Sequence, residues 1–393
     1  MWRSRDFRVL VTGVSTSTFG DMLLLLVLGI WVKNLTGSNG KAGLTFLLVG
    51  IPSLVSPLGG YLVDRVSRRQ LLVGVDVASA LMMLPLLSVH DAGDVPIIYA
   101  VALAYGVSLT LNGTAMSGLV KDVLPDDQLA RGNGVLSTVG TGLRLLAPPL
   151  GAALFSRFGG GVVALIDAGT FLVGAAAMVR LTLHEPVVAR APSSWRRDMV
   201  AGQEHLRRNR VLVRATSAYA ATLLVLGFGE SIGFAVNDSG LHRPPAFIAV
   251  LVCLQGLGSI AGGLVASRVI HRQGESRTLG YGLVVMAVGF TGLLSTHLSV
   301  VLMGNALFGV GLPLVAVAYT TLLQRETPRE LMGRTSAASD VLLGAPQLLS
   351  IALGSALIGV VDYRILTVTM VVVMASSGLA LVRAAQLRPL LPA

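Results

Sequence analysis

Six ionisable side chains stand inside stretches that are otherwise apolar: Asp21, Asp76, Arg144, Asp167, Glu230 and Asp340. A charge at the centre of a bilayer costs about 2.5–3.5 kcal/mol on insertion scales, so each is a functional candidate if its stretch crosses a membrane. Met22 to Leu26, beside Asp21, are all apolar. A carboxylate in such a place is a candidate proton carrier, able to trade a proton for a cationic or polar molecule. Glu230 follows Phe228-Gly229 as Asp21 follows Phe19-Gly20, which makes it the matching acid. Arg144 needs a carboxylate partner, because desolvating a lone guanidinium is prohibitive. Asp21 is one candidate for that role, and another acid would serve equally. Asp76, Asp167 and Asp340 fall near the ends of their stretches, where capping a helix or reaching toward water is the expected role.

A second constellation is Gly60-x-x-x-Asp64-Arg65-x-x-Arg68-Arg69, which ends the apolar run from Ala42 to Val63. It has a degraded echo in Gly263, Ser267-Arg268 and His271-Arg272, 203 residues further on. Leu150-Gly151-Ala152-Ala153-Leu154 recurs at the same offset as Leu353-Gly354-Ser355-Ala356-Leu357. Two halves built alike are therefore expected. Asn112, Gln255, Asn305 and Gln347 are polar groups in apolar runs; they are candidates to line a cavity, though most such groups satisfy helix contacts. No phosphate-binding loop, metal-ligand spacing or nucleophile–base set is present. The expectation is a protein without cofactor or metal, and not an enzyme.

The elements that must position these residues are membrane helices. Charged residues make up 13% of the chain, about half the share usual in soluble domains. Glycine is plentiful at 46, as where helices approach closely in lipid. Twelve spans are expected, roughly Val9–Val32, Ala42–Val63, Leu71–Val89, Val95–Val120, Gly132–Ser156 and Gly159–Leu183, then Val211–Val236, Ala246–Ser267, Thr278–Thr296, Leu298–Gln324, Ser336–Val361 and Ile365–Val382. With the first residues inside, the inner segments hold 24 of the 30 basic residues and the outer loops 5. That asymmetry predicts both termini in the cytoplasm. It also explains the net charge of +10 without nucleic acid. Cys253, the single cysteine, excludes an intrachain disulfide, and no cleavable leader is expected because the first apolar run is of span length. Only three of the basic residues are lysine, a bias expected of a GC-rich bacterium. The domains follow: 1–183 and 211–393 as six-helix bundles, joined by 184–210. In that linker Trp195, Met199 and Leu206 at helical spacing predict a short amphipathic helix on the inner membrane surface.

On these motifs the chain resembles the major facilitator superfamily, and within it the twelve-span drug:proton antiporters of the macrolide and siderophore exporter type. The element most similar to the family is Gly60-x-x-x-Asp64-Arg65-x-x-Arg68-Arg69. The antiporter pattern of span five is met in part by Pro148 and Gly151, with Ala147 and Ala152 standing where the family has glycine. The resemblance implies an all-α membrane fold of twelve transmembrane helices in two pseudo-symmetric six-helix bundles. It implies a secondary transporter exporting small amphipathic molecules in exchange for protons, with a nutrient importer on the same fold as the alternative. It also implies that Asp64, Arg65, Arg68 and Arg69, joined by Asp122, latch the cytoplasmic ends of the halves, with Gly263, Arg268 and Arg272 as the second copy. Asp21, Glu230 and Arg144 are then the coupling residues. The expected setting is a bacterial cell membrane, with the protein a multi-pass monomer whose partners are lipid, protons and a small-molecule substrate.

Overall fold

Ser4 opens the first helix, its hydroxyl accepting the Phe7 amide at 3.4 Å, and Gly37 closes it in the left-handed region at φ 68°. Between them α1 runs Arg5–Thr36, 32 residues, longer than the roughly 20 needed to cross a bilayer. The computed structural model describes residues 4–55, 67–123, 126–182, 195–328 and 331–386, and among these all regular structure is helical. After α1 come α2 (Asn39–Gly50, extended by a 3-10 turn over Ile51–Val55), α3 (Arg68–Met82), α4 (Val95–Val123), α5 (Asp126–Phe158) and α6 (Gly160–Val179). Then follow α7 (Trp195–Arg208), α8 (Arg210–Leu226), the short α9 (Gly229–Ala235), α10 (Ile248–Gln273), α11 (Glu275–Thr291), α12 (Leu298–Glu326), α13 (Met332–Leu357) and α14 (Tyr363–Gln386). Ten helices among the described residues are long and apolar enough to cross a membrane. The second and fifth of the twelve expected spans are not among these ten; the second runs beyond Val55 into residues outside those described.

The chain divides into two compact units, residues 1–190 and 191–393. In the first, α1 packs on α5 and α6, α2 on α4, and α3 on both α4 and α6. In the second, α8 packs on α13 and α14, α10 on α12, and α11 on both α12 and α14. With α8 standing for α1 and the later helices in order, the two sets of pairings are the same. The repeat read at an offset of 203 residues is thus a repeat of packing as well as of motif.

Close approach of backbones explains much of the glycine. A methyl group on Gly258 of α10 would overlap the carbonyl oxygen of Ala306 on α12, and one on Gly309 of α12 would overlap that of Gln255. In lipid, where apolar burial between helices gains little, such approach strengthens dispersion contacts.

Three local details refine these expectations. The second-half copy, with Gly263, Arg268 and Arg272, was expected to run from a span into a loop; α10 instead continues through Arg268 and Arg272 to Gln273, and Gly274 (φ 79°) ends it. Arg and Gln are good helix formers, and cations suit the negative end of a helix. The expected span Val211–Val236 lies within one membrane-length stretch, Arg210–Gly240, which carries a turn at Gly227-Phe228, where a Cβ on Gly227 would meet the backbone of Gln347 and Ile351 on α13. The amphipathic helix does form, as α7, but one side of it is docked on protein. Gly202 meets the Arg334 carbonyl, His205 Nε2 lies 3.1 Å from the carbonyl oxygen of Glu326, and Leu206 is buried.

Candidate functional site

Four helices of the first unit bring three carboxyl groups together. Asp21, on α1, is half-buried and accepts a hydrogen bond from the Tyr105 hydroxyl of α4 at 2.8 Å. Tyr105 is fully buried and meets the edge of Phe171 on α6, ring centres 6.5 Å apart. Asp76, on α3, is 5% exposed and accepts from Asn112 Nδ2 of α4 at 3.3 Å. Asp167, on α6, is 0% exposed. The Thr170 hydroxyl lies 3.1 Å from its Oδ1, while its Oδ2 is buried with no partner. Asp21 is within electrostatic reach of both other acids.

Small residues make the approach possible. A Cβ on Gly20 would overlap both Thr170 Oγ1 and Asp167 Oδ1, so α1 and α6 meet there without a side chain between them. A Cβ on Gly174 would come within 2.9 Å of Asp76 Oδ2 and 3.6 Å of Ser17 Cβ. Nearly one turn further along α1, a Cβ on Gly151 would lie 2.5 Å from the carbonyl oxygen of Leu23. The span-five motif therefore seats α5 on α1 two residues past Asp21, and Pro148 of that motif is buried.

The second unit has a related seat, placed before its acid and not after it. Gly354 of α13, the counterpart of Gly151, would set a Cβ 2.8 Å from Phe228 Cα, two residues before Glu230. Glu230 is half-buried in the first turn of α9, with no hydrogen bond to its carboxylate among the described residues. Ser231, next to it, faces Ser355 of α13 at 3.5 Å between hydroxyls. In the second unit, then, the Leu-Gly-x-Ala-Leu motif meets the Phe-Gly-acid motif itself, while in the first it meets α1 at Leu23, two residues past the acid.

The remaining sequence candidates separate. Arg144 is exposed and forms no ion pair with Asp21, whose partner is Tyr105. Periodicity places a residue on a helix without saying which face meets a neighbour. Asp76 and Asp167 were expected near span ends; both are buried instead, because α3 starts at Arg68, nearly a turn before the apolar run, and α6 packs along α1 and α3. Asp340 is exposed. Asn112 is engaged by Asp76, and Asn305 reaches its own helix at the Val301 carbonyl, 3.5 Å away. Gln255 and Gln347 are half-buried. In the arginine motif, Gly60, Asp64 and Arg65 lie outside the described residues, as does the side chain of Asp122. Arg68 opens α3 behind the Ser67 cap, and Arg69 donates to the carbonyl of Val179 at the end of α6. Sequence reasoning missed Tyr105 and Thr170. The i, i+3 spacing of Asp167 and Thr170 was the available signal.

Two units wired alike, each of membrane-length helices with an acid held at a helix–helix seat, define a polytopic membrane transporter. Residues 10–237 match the model of the Major Facilitator Superfamily, more than half of the chain. This chain belongs to the Major Facilitator Superfamily, a family of transporters and not of enzymes. It is 22% identical over 270 residues to an uncharacterized MFS-type transporter, YfiS of Bacillus subtilis strain 168, covering 67% of this chain and 64% of that one. It is 20% identical over 300 residues to macrolide efflux protein A of Streptococcus pyogenes, covering 75% and 74%. Among solved structures, a bacterial homologue of the iron transporter ferroportin in its inward-facing state superposes with a TM-score of 0.71 at 18% identity, over 97% of this chain and 98% of that one. The fold is thus common to proteins of unlike cargo.

Proposed function

We propose that this protein exports small amphipathic molecules from the cell in exchange for protons, by alternating access, with both termini in the cytoplasm. The observation that carries the reading is the group Asp21, Asp76 and Asp167: three carboxyls whose hydrogen-bond donors among the described residues are Tyr105, Asn112 and Thr170, all neutral. Burying Asp76 and Asp167 as charges beside the half-buried Asp21, with no counter-ion among the described residues, is costly. Proton occupancy lets such a group stay buried, and proton release lets it respond to the side of the membrane it faces. Glu230 is the corresponding acid of the second unit. The likeness to macrolide efflux protein A supports outward transport of a bulky, partly apolar cargo. One charge moving across 100 mV releases about 2.3 kcal/mol, enough to sustain a gradient of several tens-fold.

The test is export by an efflux-deficient bacterial host expressing the chain, measured for a panel of cationic and amphipathic compounds. At least one compound is expected to accumulate less than in the control host, and a protonophore should abolish the difference. Export that survives the protonophore would remove proton exchange from the reading, and net uptake would reverse its direction.

A further inference from the structure

At the arginine-rich end of the second unit, where α8 and α11 begin and α14 ends, lies a cleft of about 390 Å³. Arg210 and Arg214 of α8 and Arg277 of α11 line it together. The side chains of these three make no hydrogen bond or ion pair among the described residues. The one carboxylate in the lining is Glu275, and its Oε1 is already bound by Arg325 Nη1 at 2.8 Å. Gly274 precedes α11 with no side-chain cap, and the first turn of that helix forms part of the wall. Uncapped amide groups and the helix dipole add positive potential there. The opposite wall includes Leu381 and Ala385 of α14, which are apolar.

Three guanidinium groups around one cleft repel one another, and an anion in their midst removes that cost. The guanidinium fork matches two oxygens of a phosphate at once. An apolar wall beside the cations suits a ligand with a hydrocarbon part. We infer that Arg210, Arg214 and Arg277 form a binding site for a phosphate group, either the headgroup of an anionic phospholipid or a soluble phosphate. Neither the transport reading nor the acids of the first unit enter this inference.

The test uses the full chain in detergent micelles and reads lipid retention by native mass spectrometry. Phosphatidylglycerol is titrated against phosphatidylcholine, with inorganic phosphate as a competitor in a separate arm. The wild type is expected to retain phosphatidylglycerol in preference. The triple substitution Arg210→Gln, Arg214→Gln, Arg277→Gln should weaken that preference on the order of a hundredfold, since each basic side chain near a surface contributes on the order of 1 kcal/mol to anionic-lipid binding. The charge-matched control is Arg207→Gln, Arg268→Gln, Arg272→Gln, three exposed arginines outside the cleft; it should leave the preference within about twofold. Should the triple variant not purify as a single species, Arg277→Gln alone is read, with a loss of about fivefold expected. Displacement of the lipid by inorganic phosphate, lost in the cleft variant, identifies a soluble phosphate as the occupant; resistance to it identifies the lipid. Equal loss in cleft and control variants, or no loss in either, overturns the site and leaves only the general attraction of a basic surface.

Discussion

Asp21→Asn is expected to lower proton-driven export at least about tenfold, a loss of about 1.4 kcal/mol or more, while the protein still inserts and folds. The substitution keeps the shape of the side chain and the acceptor for the Tyr105 hydroxyl, which lies 2.8 Å from Oδ1. It removes the ability to bind and release a proton. Acidifying the outside should speed export in the wild type and leave the variant flat, a response that a merely structural hydrogen bond would not produce. Asp167→Asn tests the neighbouring acid with a further cost. Its amide nitrogen can fall at the buried position where Oδ2 has no partner, and an unsatisfied buried donor costs about 1–3 kcal/mol. Asp167→Asn should therefore lose both transport and thermal stability, whereas Asp21→Asn should lose transport alone. Wild-type export and an unchanged pH response in Asp21→Asn would remove this acid from the mechanism.

The second large effect concerns folding. Gly258→Val should sharply reduce the yield of monodisperse protein. Its Cβ would overlap the Ala306 carbonyl oxygen and lie 3.1 Å from the Val310 amide nitrogen. Both obstacles are backbone, so α10 and α12 would have to part along their shared seam. Overpacking of this kind costs about 1–3 kcal/mol and sometimes more. Gly263→Val, five residues further along the same helix, has nothing within 4 Å of its Cβ and should stay within about 0.5 kcal/mol of the wild type. Thermal unfolding followed by size-exclusion chromatography compares the two. Equal behaviour of the pair would mean that the close approach of α10 and α12 is not what holds this unit together.

The sequence made the broad plan legible for physical reasons that particular residues display. Apolar run length survives translation into helices because a bilayer demands it. The Leu-Gly-x-Ala-Leu repeat carried real spatial information, since its glycine meets the helix that bears the acid in each unit, Gly151 at Leu23 and Gly354 at Phe228. Depth was harder to read. Asp76 sits six residues into its apolar run but nine into helix α3, which starts at Arg68, and that shift carries it from the rim to the interior. Facing was harder still. Arg144 and Asp21 are both charged residues in apolar runs, yet one is exposed and the other bonded to Tyr105. Hydropathy averages over all sides of a helix and so cannot tell them apart.

The glycines at 20 and 151 leave α1 in direct touch with α5 and α6 on either side of its acid. Such seams forbid sliding or prying apart of these three rods, so the acid can move only in company with its neighbours. Adaptation to a new cargo then has little room beside Asp21. Replacements that alter cargo preference, selected in the laboratory, should gather on half-exposed helix faces and spare the glycine seams.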